Sequence, residues 1–400
     1  MNPFDDELNR RLAALKEQGL RRELRRVDSP QGSRIEIGGK SFLNFSSNDY
    51  LGLANHPALK EAAIKAVEKF GAGAGASRLI CGSLAPFHEL EESLAAFKGA
   101  EAALTFSTGY AAALGTITAL VGKDDIVIVD KLVHASIVDA ARLSGAKLRI
   151  FTHNDLNDLE DILKWAAKSQ IANRKLQILI VTESIFSMDG DAAPLREMVA
   201  LKEKYGAWLM VDEAHATGLC GKNGRGLADE LGVSGRIEIQ MGTLGKALGA
   251  SGGYLCGSRA LIDLLVNRAR SFIFSTAPVP AAAAAATAGI QQAKSAEGNV
   301  RRKSLWQLVE RLNSKLKTKN SKFRSAIIPF IIGDEAKTVE LTSALRGQNI
   351  FIPAIRFPTV ARGAARLRVT LTAAHTQEDV EALAQTLGNL KFSTLNLKSP

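Results

Sequence analysis

Residues 176–184, LQILIVTES, and 207–215, AWLMVDEAH, are each an apolar run that closes on an acid, and their reading decides the fold. Apolar residues without polar alternation describe a strand buried on both faces, the pattern of a parallel sheet rather than of a half-solvated hairpin. The same pattern recurs outward in both directions. AALTF (102–106), DIVIVD (125–130) and KLRIF (147–151) come before these runs, and IEIQMG (237–242) and GGYLCG (252–257) come after them. Helically spaced stretches such as HPALKEAAIKAVEKF (56–70) and PFHELEESLAAFKG (86–99) occupy the intervals. The alternation predicts an α/β fold, a mostly parallel sheet covered by helices on both faces.

The two ends of the chain read differently. The first two dozen residues predict a charged amphipathic helix, followed by short extended pieces at RIEIGG (34–39) and SFLNFSS (41–47). After about residue 290 comes a basic helical segment, then AIIPFIIG (326–333), a helix, NIFIPAI (349–355), ARLRVTLTAA (365–374) and a last helix from Thr376. This organisation predicts a helical arm over 1–45, a large domain over 46–290 and a smaller α+β domain over 291–400.

Composition limits the function classes. The 400 residues are 46% hydrophobic and 23% charged, an ordinary globular balance. MNPFDDELNRRLAALKEQ lacks the apolar core of a signal peptide, and no stretch approaches the ~20 apolar residues a membrane helix needs. Cys81, Cys220 and Cys256 are far apart and odd in number, which suits a reducing cytoplasm better than a disulfide framework. The net charge of +10 is concentrated in LRRELRR (20–26) and between Arg301 and Arg324; no aromatics interleave with it, so solvated helix faces are expected rather than nucleic-acid binding.

Three nucleotide or metal motifs fail on inspection. GAGAGASRLICG (71–82) follows a helix and does not match GxGxxG, so it is no dinucleotide loop. In TLGKALG the first P-loop glycine is replaced by Gln240, and Ala247 stands where a magnesium-holding Ser or Thr belongs. His88 opens HELEE without the second histidine of a zinc helix.

In open α/β sheets ligands sit beyond the carboxyl ends of the strands, so polar residues that end apolar runs come first. That rule selects Ser107, His134, Glu183, Asp212 and Thr243. Lys246 lies among glycines just past a strand, with nothing for its stem to cover; it is either a desolvated Schiff-base amine or part of a structural turn. Asp212 emerges from a buried strand and needs either a positive partner, such as a pyridinium nitrogen, or backbone donors. His215 is placed to bond the phenolic oxygen of such a cofactor or to be a satisfied loop histidine. Thr108, Gly109 and Tyr110 stand where a strand turns into a helix, whose free amides can cradle a phosphate. His134 is either a ring-stacking group or structural.

The ordered series NFSSNDYLGL, GAGAGASRLICG, FSTGYAAALG, HASIVDAARLSGA, VTESIFSMDGD, VDEAHATG, TLGKALG, FIFSTAP and ARLRVTLTAAH resembles the α-oxoamine synthases, pyridoxal-phosphate enzymes of fold type I, over roughly residues 40–390. HASIVDAARLSGA and AIRFPTVARGAARLRVTLTAAH are most similar to the branch that joins L-alanine to a pimeloyl thioester, with loss of carbon dioxide, in biotin synthesis. The resemblance implies a pyridoxal 5'-phosphate cofactor on Lys246; the failed zinc pattern already argues against a catalytic metal. It implies Asp212 at the pyridine nitrogen, His215 and Ser187 near the phenolic oxygen and His134 stacked on the ring. Thr108, Gly109, Tyr110 and Thr243 would hold phosphate, and Thr276 would reach it from a second subunit, implying a homodimer. Asn48 and Arg368 match positions near the substrate carboxylate, and Arg356 matches an acyl or carboxylate contact. Arg25, with its neighbours Arg21, Arg22 and Arg26, could receive the phosphates of coenzyme A or an acidic carrier protein. Phe357 and Ala361 stand where that family commonly has prolines, which leaves the acyl chain length and the thioester carrier open. Sibling reactions with glycine or serine, and simple amino-group transfer, are the other readings of the same motifs.

Overall fold

The computed structural model describes residues 2–168, 176–316 and 325–389. The strands in chain order are β1 (Arg34–Ile37), β2 (Lys40–Asn44), β3 (Ala102–Phe106), β4 (Ile126–Asp130), β5 (Lys147–Phe151), β6 (Ile178–Glu183), β7 (Trp208–Asp212), β8 (Ile239–Thr243), β9 (Gly253–Gly257), β10 (Ile327–Gly333), β11 (Ile350–Phe351), β12 (Ala354–Ile355) and β13 (Ala365–Thr370). Two compact units contain them, Met1–Ser47 with Met188–Gly190 and Ser304–Pro400, and Asn48–Ser187 with Asp191–Lys303.

The second of these units holds one seven-stranded sheet in the order β3-β9-β8-β7-β6-β4-β5. All seven apolar runs of the sequence are strands of it. Pairings from β5 through β4, β6 and β7 to β8 are parallel, and β9 runs against both of its neighbours, so the sheet is mostly parallel as the runs predict. Every residue of β3, β4 and β6 is buried, because helices cover both faces. The edge strand β5 buries only Phe151, and its Lys147 and Arg149 blunt the free edge toward water. The core packs Val127, Val129, Leu179, Val181, Met210 and Leu255 against Ile117, Ile137 and Leu265 of the covering helices.

Each helix that leaves the carboxyl edge of β3 or β4 begins on a side-chain cap. Thr108 Oγ1 accepts the Ala111 amide at 3.0 Å to start Gly109–Leu120, and His134 Nδ1 accepts the Ser136 amide at 3.2 Å to start Ala135–Leu143.

In the other unit, β1, β2 and β11 form one small sheet and β10, β13 and β12 a second, followed by the helix Gln377–Asn389. NIFIPAI is two short strands rather than one, split around Pro353, which has no amide to give to a ladder. The first helix is shorter than the sequence pattern predicts. It spans Pro3–Glu17, buries no residue, and stops where Gly19 takes φ +65, a left-handed conformation that glycine adopts without a Cβ clash. His375 stacks on Phe45 at 4.3 Å between centroids and bonds the backbone of Thr372 and Asn44, tying β2 to the turn that follows β13. The basic stretch Arg301–Arg324 is helical as far as Leu316; residues 317–324 lie outside the described residues. No helix among the described residues is long and apolar enough to cross a membrane.

Candidate active site

Strand β3 shares the direction of β8, since both are antiparallel to β9, so the carboxyl ends of β3, β4, β6, β7 and β8 open on one edge of the sheet. The strand-ending polar residues meet there: Ser107 after β3, His134 after β4, Glu183 on β6, Asp212 on β7 and Thr243 on β8. Glu183 and Asp212 are directly opposite each other in the β6–β7 register.

Lys246 follows β8 in a turn closed by Gly249, whose φ of +68 leads the chain against Leu53 so closely that a Cβ would strike its backbone. The Lys246 Nζ lies 2.7 Å from His215 Nε2, and His215 Nδ1 lies 2.7 Å from the hydroxyl of Tyr50. Tyr50 is fully buried, and its hydroxyl also donates to Asn48 Oδ1 at 3.2 Å.

Burial pushes the Asp212 carboxyl above the usual carboxylate range, and the charge of Lys246 opposes that push. Glu183 is also raised, to about 8, first by burial and then by repulsion from Asp212. Its Oε2 accepts the Ser187 amide at 3.0 Å while its buried Oε1 has no partner. The His134 imidazole is pulled below its ordinary value by the protein mass around it, which outweighs the attraction of Asp212. Lys246, Asp212, Glu183 and His134 thus act on one another's charge across a single space.

At the β3 end, Thr108 spends its side chain on the Ala111 amide, leaving the amides of Gly109 and Tyr110 at the start of a twelve-residue helix. Strand β9 enters immediately beside this turn. A Cβ on Gly253 would lie 2.5 Å from the Thr108 carbonyl oxygen, so only glycine lets the two backbones pass. The Tyr110 hydroxyl donates to Asp139 at 2.7 Å, and Thr243 Oγ1 donates to the Gly252 carbonyl and accepts the Gly245 amide. Thr276 is exposed and forms an isolated bridge with Ser77.

Arg368, Arg356 and Arg25 belong to the other unit. Arg368 is buried on β13 opposite Pro329. The Arg356 guanidinium donates to the carbonyls of Gly19 and Arg21, and its pKa is lowered by burial and by the like charge of Arg22. Arg25 is exposed near Arg346.

The donor set fits pyridoxal phosphate. It combines an amine in hydrogen-bond contact with an imidazole, a buried carboxyl sharing the amine's field, and a capped helix start whose first amides are left over. No cluster of metal-ligating side chains occurs among the described residues. Sequence reasoning missed Tyr50, which had no signal beyond lying two residues after Asn48, and it gave Glu183 a place but no role.

The family model for class I and II aminotransferases matches residues 40–387. An 8-amino-7-oxononanoate synthase from Thermoanaerobacter pseudethanolicus is 46% identical over 94% of both chains, and one from an Anaeromyxobacter species (strain Fw109-5) is 50% identical over 94% of both. Among solved structures, a serine palmitoyltransferase from S. paucimobilis with a bound PLP–myriocin aldimine is similar at a TM-score of 0.88, with 30% identity over 96% of both chains. The chain belongs to the class I and II aminotransferase family, within its 8-amino-7-oxononanoate synthase group, and is a pyridoxal-phosphate enzyme of fold type I.

Proposed function

We propose that this chain condenses L-alanine with a pimeloyl thioester to give 8-amino-7-oxononanoate, carbon dioxide and the free thiol. The observation that carries the reading is the contact of Lys246 Nζ with His215 Nε2 in the field of buried Asp212, within a chain 46–50% identical to relatives of that name. Serine palmitoyltransferase shares the fold at 30% identity, so the fold alone favours neither amino acid.

When bound, pyridoxal phosphate supplies an electrophilic aldehyde and a protonated ring that accepts the electron pair released at the substrate's Cα. The chain's own residues supply the rest. Asp212 would pair with the ring nitrogen, and each pKa unit by which it favours the protonated ring is worth about 1.4 kcal/mol. The amides of Gly109 and Tyr110, with Thr108 and Thr243, hold the phosphate at the helix start. His134 would stack on the ring, and Ser187 and His215 would bind its phenolic oxygen. With the cofactor bound, Lys246 Nζ would be the base for the substrate's Cα proton, and His215 Nε2, 2.7 Å away, would take that proton from the amine and return it. We assign Asn48, and separately Arg368, to recognition of a substrate carboxylate. Arg356 and Arg25 meet the acyl chain or the phosphates of its carrier, as the basic arm suggests.

A homodimer is part of the proposal. Exposed Leu79, Ile80, Phe274 and Val279 flank Ser77 and Thr276, an apolar surface that a second copy would cover while bringing Thr276 to its phosphate. We also place the enzyme in the cytoplasm.

Purified protein should absorb in the visible, and borohydride should fix the cofactor to Lys246. Lys246→Ala should still bind cofactor while losing turnover by on the order of 10⁴-fold or more. Mass analysis of products from alanine, glycine and serine against a panel of thioesters tests the substrates; a strong glycine or serine preference would overturn the assignment.

A further inference from the structure

We propose that Tyr50 is a positioning residue that fixes the tautomer of His215, so that the Nε2 lone pair faces Lys246. The inference rests on the pyridoxal-phosphate reading of Lys246 and adds to it a part for a residue outside that machinery.

A tyrosine hydroxyl has one proton and two lone pairs. At Tyr50 the proton is directed to Asn48 Oδ1 at 3.2 Å, which leaves the oxygen to accept from His215 Nδ1 at 2.7 Å. An imidazole that donates from Nδ1 carries its lone pair on Nε2, and that atom stands 2.7 Å from Lys246 Nζ. The chain Asn48–Tyr50–His215–Lys246 therefore has a direction. In it the proton moves from the lysine ammonium to His215 Nε2, leaving a neutral amine and an imidazolium whose Nδ1–H is already held by Tyr50. The reverse transfer returns both groups to their starting forms, so charge and protons balance.

Packing makes this arrangement rigid. Tyr50 is fully buried and His215 is 5% exposed, and the rings meet edge to face with centroids 6.0 Å apart. With both side chains this buried, removing the hydroxyl takes from Nδ1 the acceptor that Tyr50 supplies at 2.7 Å. The other charged groups around Lys246 are Asp212, Glu183 and His134. Tyr50 reaches Nδ1 at 2.7 Å.

The decisive measurement uses ¹⁵N-histidine labelling of the cofactor-free protein, with the His215 signals assigned by loss in His215→Asn. Wild-type protein should show a protonated Nδ1 and a pyridine-type Nε2 at His215. In Tyr50→Phe the two signals should move toward a mixture of tautomers. In the loaded enzyme the acid limb of the kcat/KM profile should rise by about one pH unit, with the alanine KM changed less than about threefold. A wild-type spectrum with the proton on Nε2 would overturn the proposal without need of any variant. An unchanged spectrum and pH profile in Tyr50→Phe would overturn it too. If borohydride labels Lys246 in both proteins, the cofactor assignment survives such a failure; if it labels neither, that assignment fails by itself.

Discussion

Asp212 and Glu213 are adjacent in sequence and both nearly inaccessible to water, yet they live in opposite electrostatic worlds. Glu213 is neutralised. Its carboxylate takes Lys98 Nζ at 2.5 Å and the Ala228 amide at 2.9 Å, and the same ammonium is held by the Arg225 carbonyl. Burial alone would pull Lys98 down, but the charge of Glu213 overrides it and holds the ammonium above its ordinary range. Asp212 has the field of Lys246, the Ala214 amide at 2.9 Å and the field of His134 to offset burial, yet its carboxyl is still raised. One acid is satisfied by the fold, and the other is poised for a cation that the fold does not supply. Burial of charge is common to both, so it is incomplete neutralisation that marks the functional one.

The contrast predicts different failures. Lys98→Met should cost about 3–5 kcal/mol of unfolding free energy, because it strands Glu213 without a counter-charge in a site closed to water. The double variant Lys98→Met/Glu213→Leu should recover most of that loss. Chemical denaturation of the three proteins checks this, and a single variant as stable as the parent would remove the distinction between the two acids. Asp212→Asn should behave in the reverse manner. It should unfold like the parent but lose on the order of 100-fold in kcat through a weaker electron sink. If it were instead strongly destabilised, Asp212 would belong with Glu213 as a structural group.

Glu183 sharpens the comparison, since it faces Asp212 across the β6–β7 ladder. With its pKa near 8 it is mostly protonated at neutral pH. A carboxyl whose folded pKa is raised keeps its proton while the unfolded chain loses it near 4.5, so stability falls as pH rises from about 4.5 to 8. Glu183→Gln imitates the protonated form. It should retain activity within about tenfold and lose that part of the pH dependence of stability. A large activity loss in this variant, with folding intact, would mean that the ionised carboxylate is required.

The sheet was legible because its strands are buried on both faces and therefore read as unbroken apolar runs; even the exposed edge strand β5 kept its Leu148, Ile150 and Phe151. Glu183, Asp212 and Thr243 were legible for the same reason, being polar residues at the carboxyl ends of those runs. Tyr50 and Lys98 were not. Tyr50 meets His215 across 165 residues, and Lys98 meets Glu213 across 115. Lys98 reads as a basic residue in the last turn of an amphipathic helix, where it would favour the helix dipole, and only the tertiary fold turns it inward. Local sequence carries period and termination, whereas the partner of a buried polar atom is a property of the assembled chain.

His153 extends the comparison to a charge neutralised twice. Its Nδ1 faces Asp130 at 2.9 Å and its Nε2 faces Asp191 at 2.7 Å, joining the end of β4 to the loop beyond β6. Burial disfavours the imidazolium, but the two carboxylates outweigh it and push the pKa up to about 10. A histidine raised in the fold contributes stability that is complete below its unfolded value near 6.5, and that contribution is lost as pH rises toward 10. The slope is at most one proton's worth, ~1.4 kcal/mol per pH unit, and partial exposure of the ring lowers it. Unfolding free energies measured between pH 7 and 10 should therefore converge for the parent and His153→Gln, with the variant less stable at pH 7 and nearly equal at pH 10. Parallel curves would show that His153 is neutral in the fold.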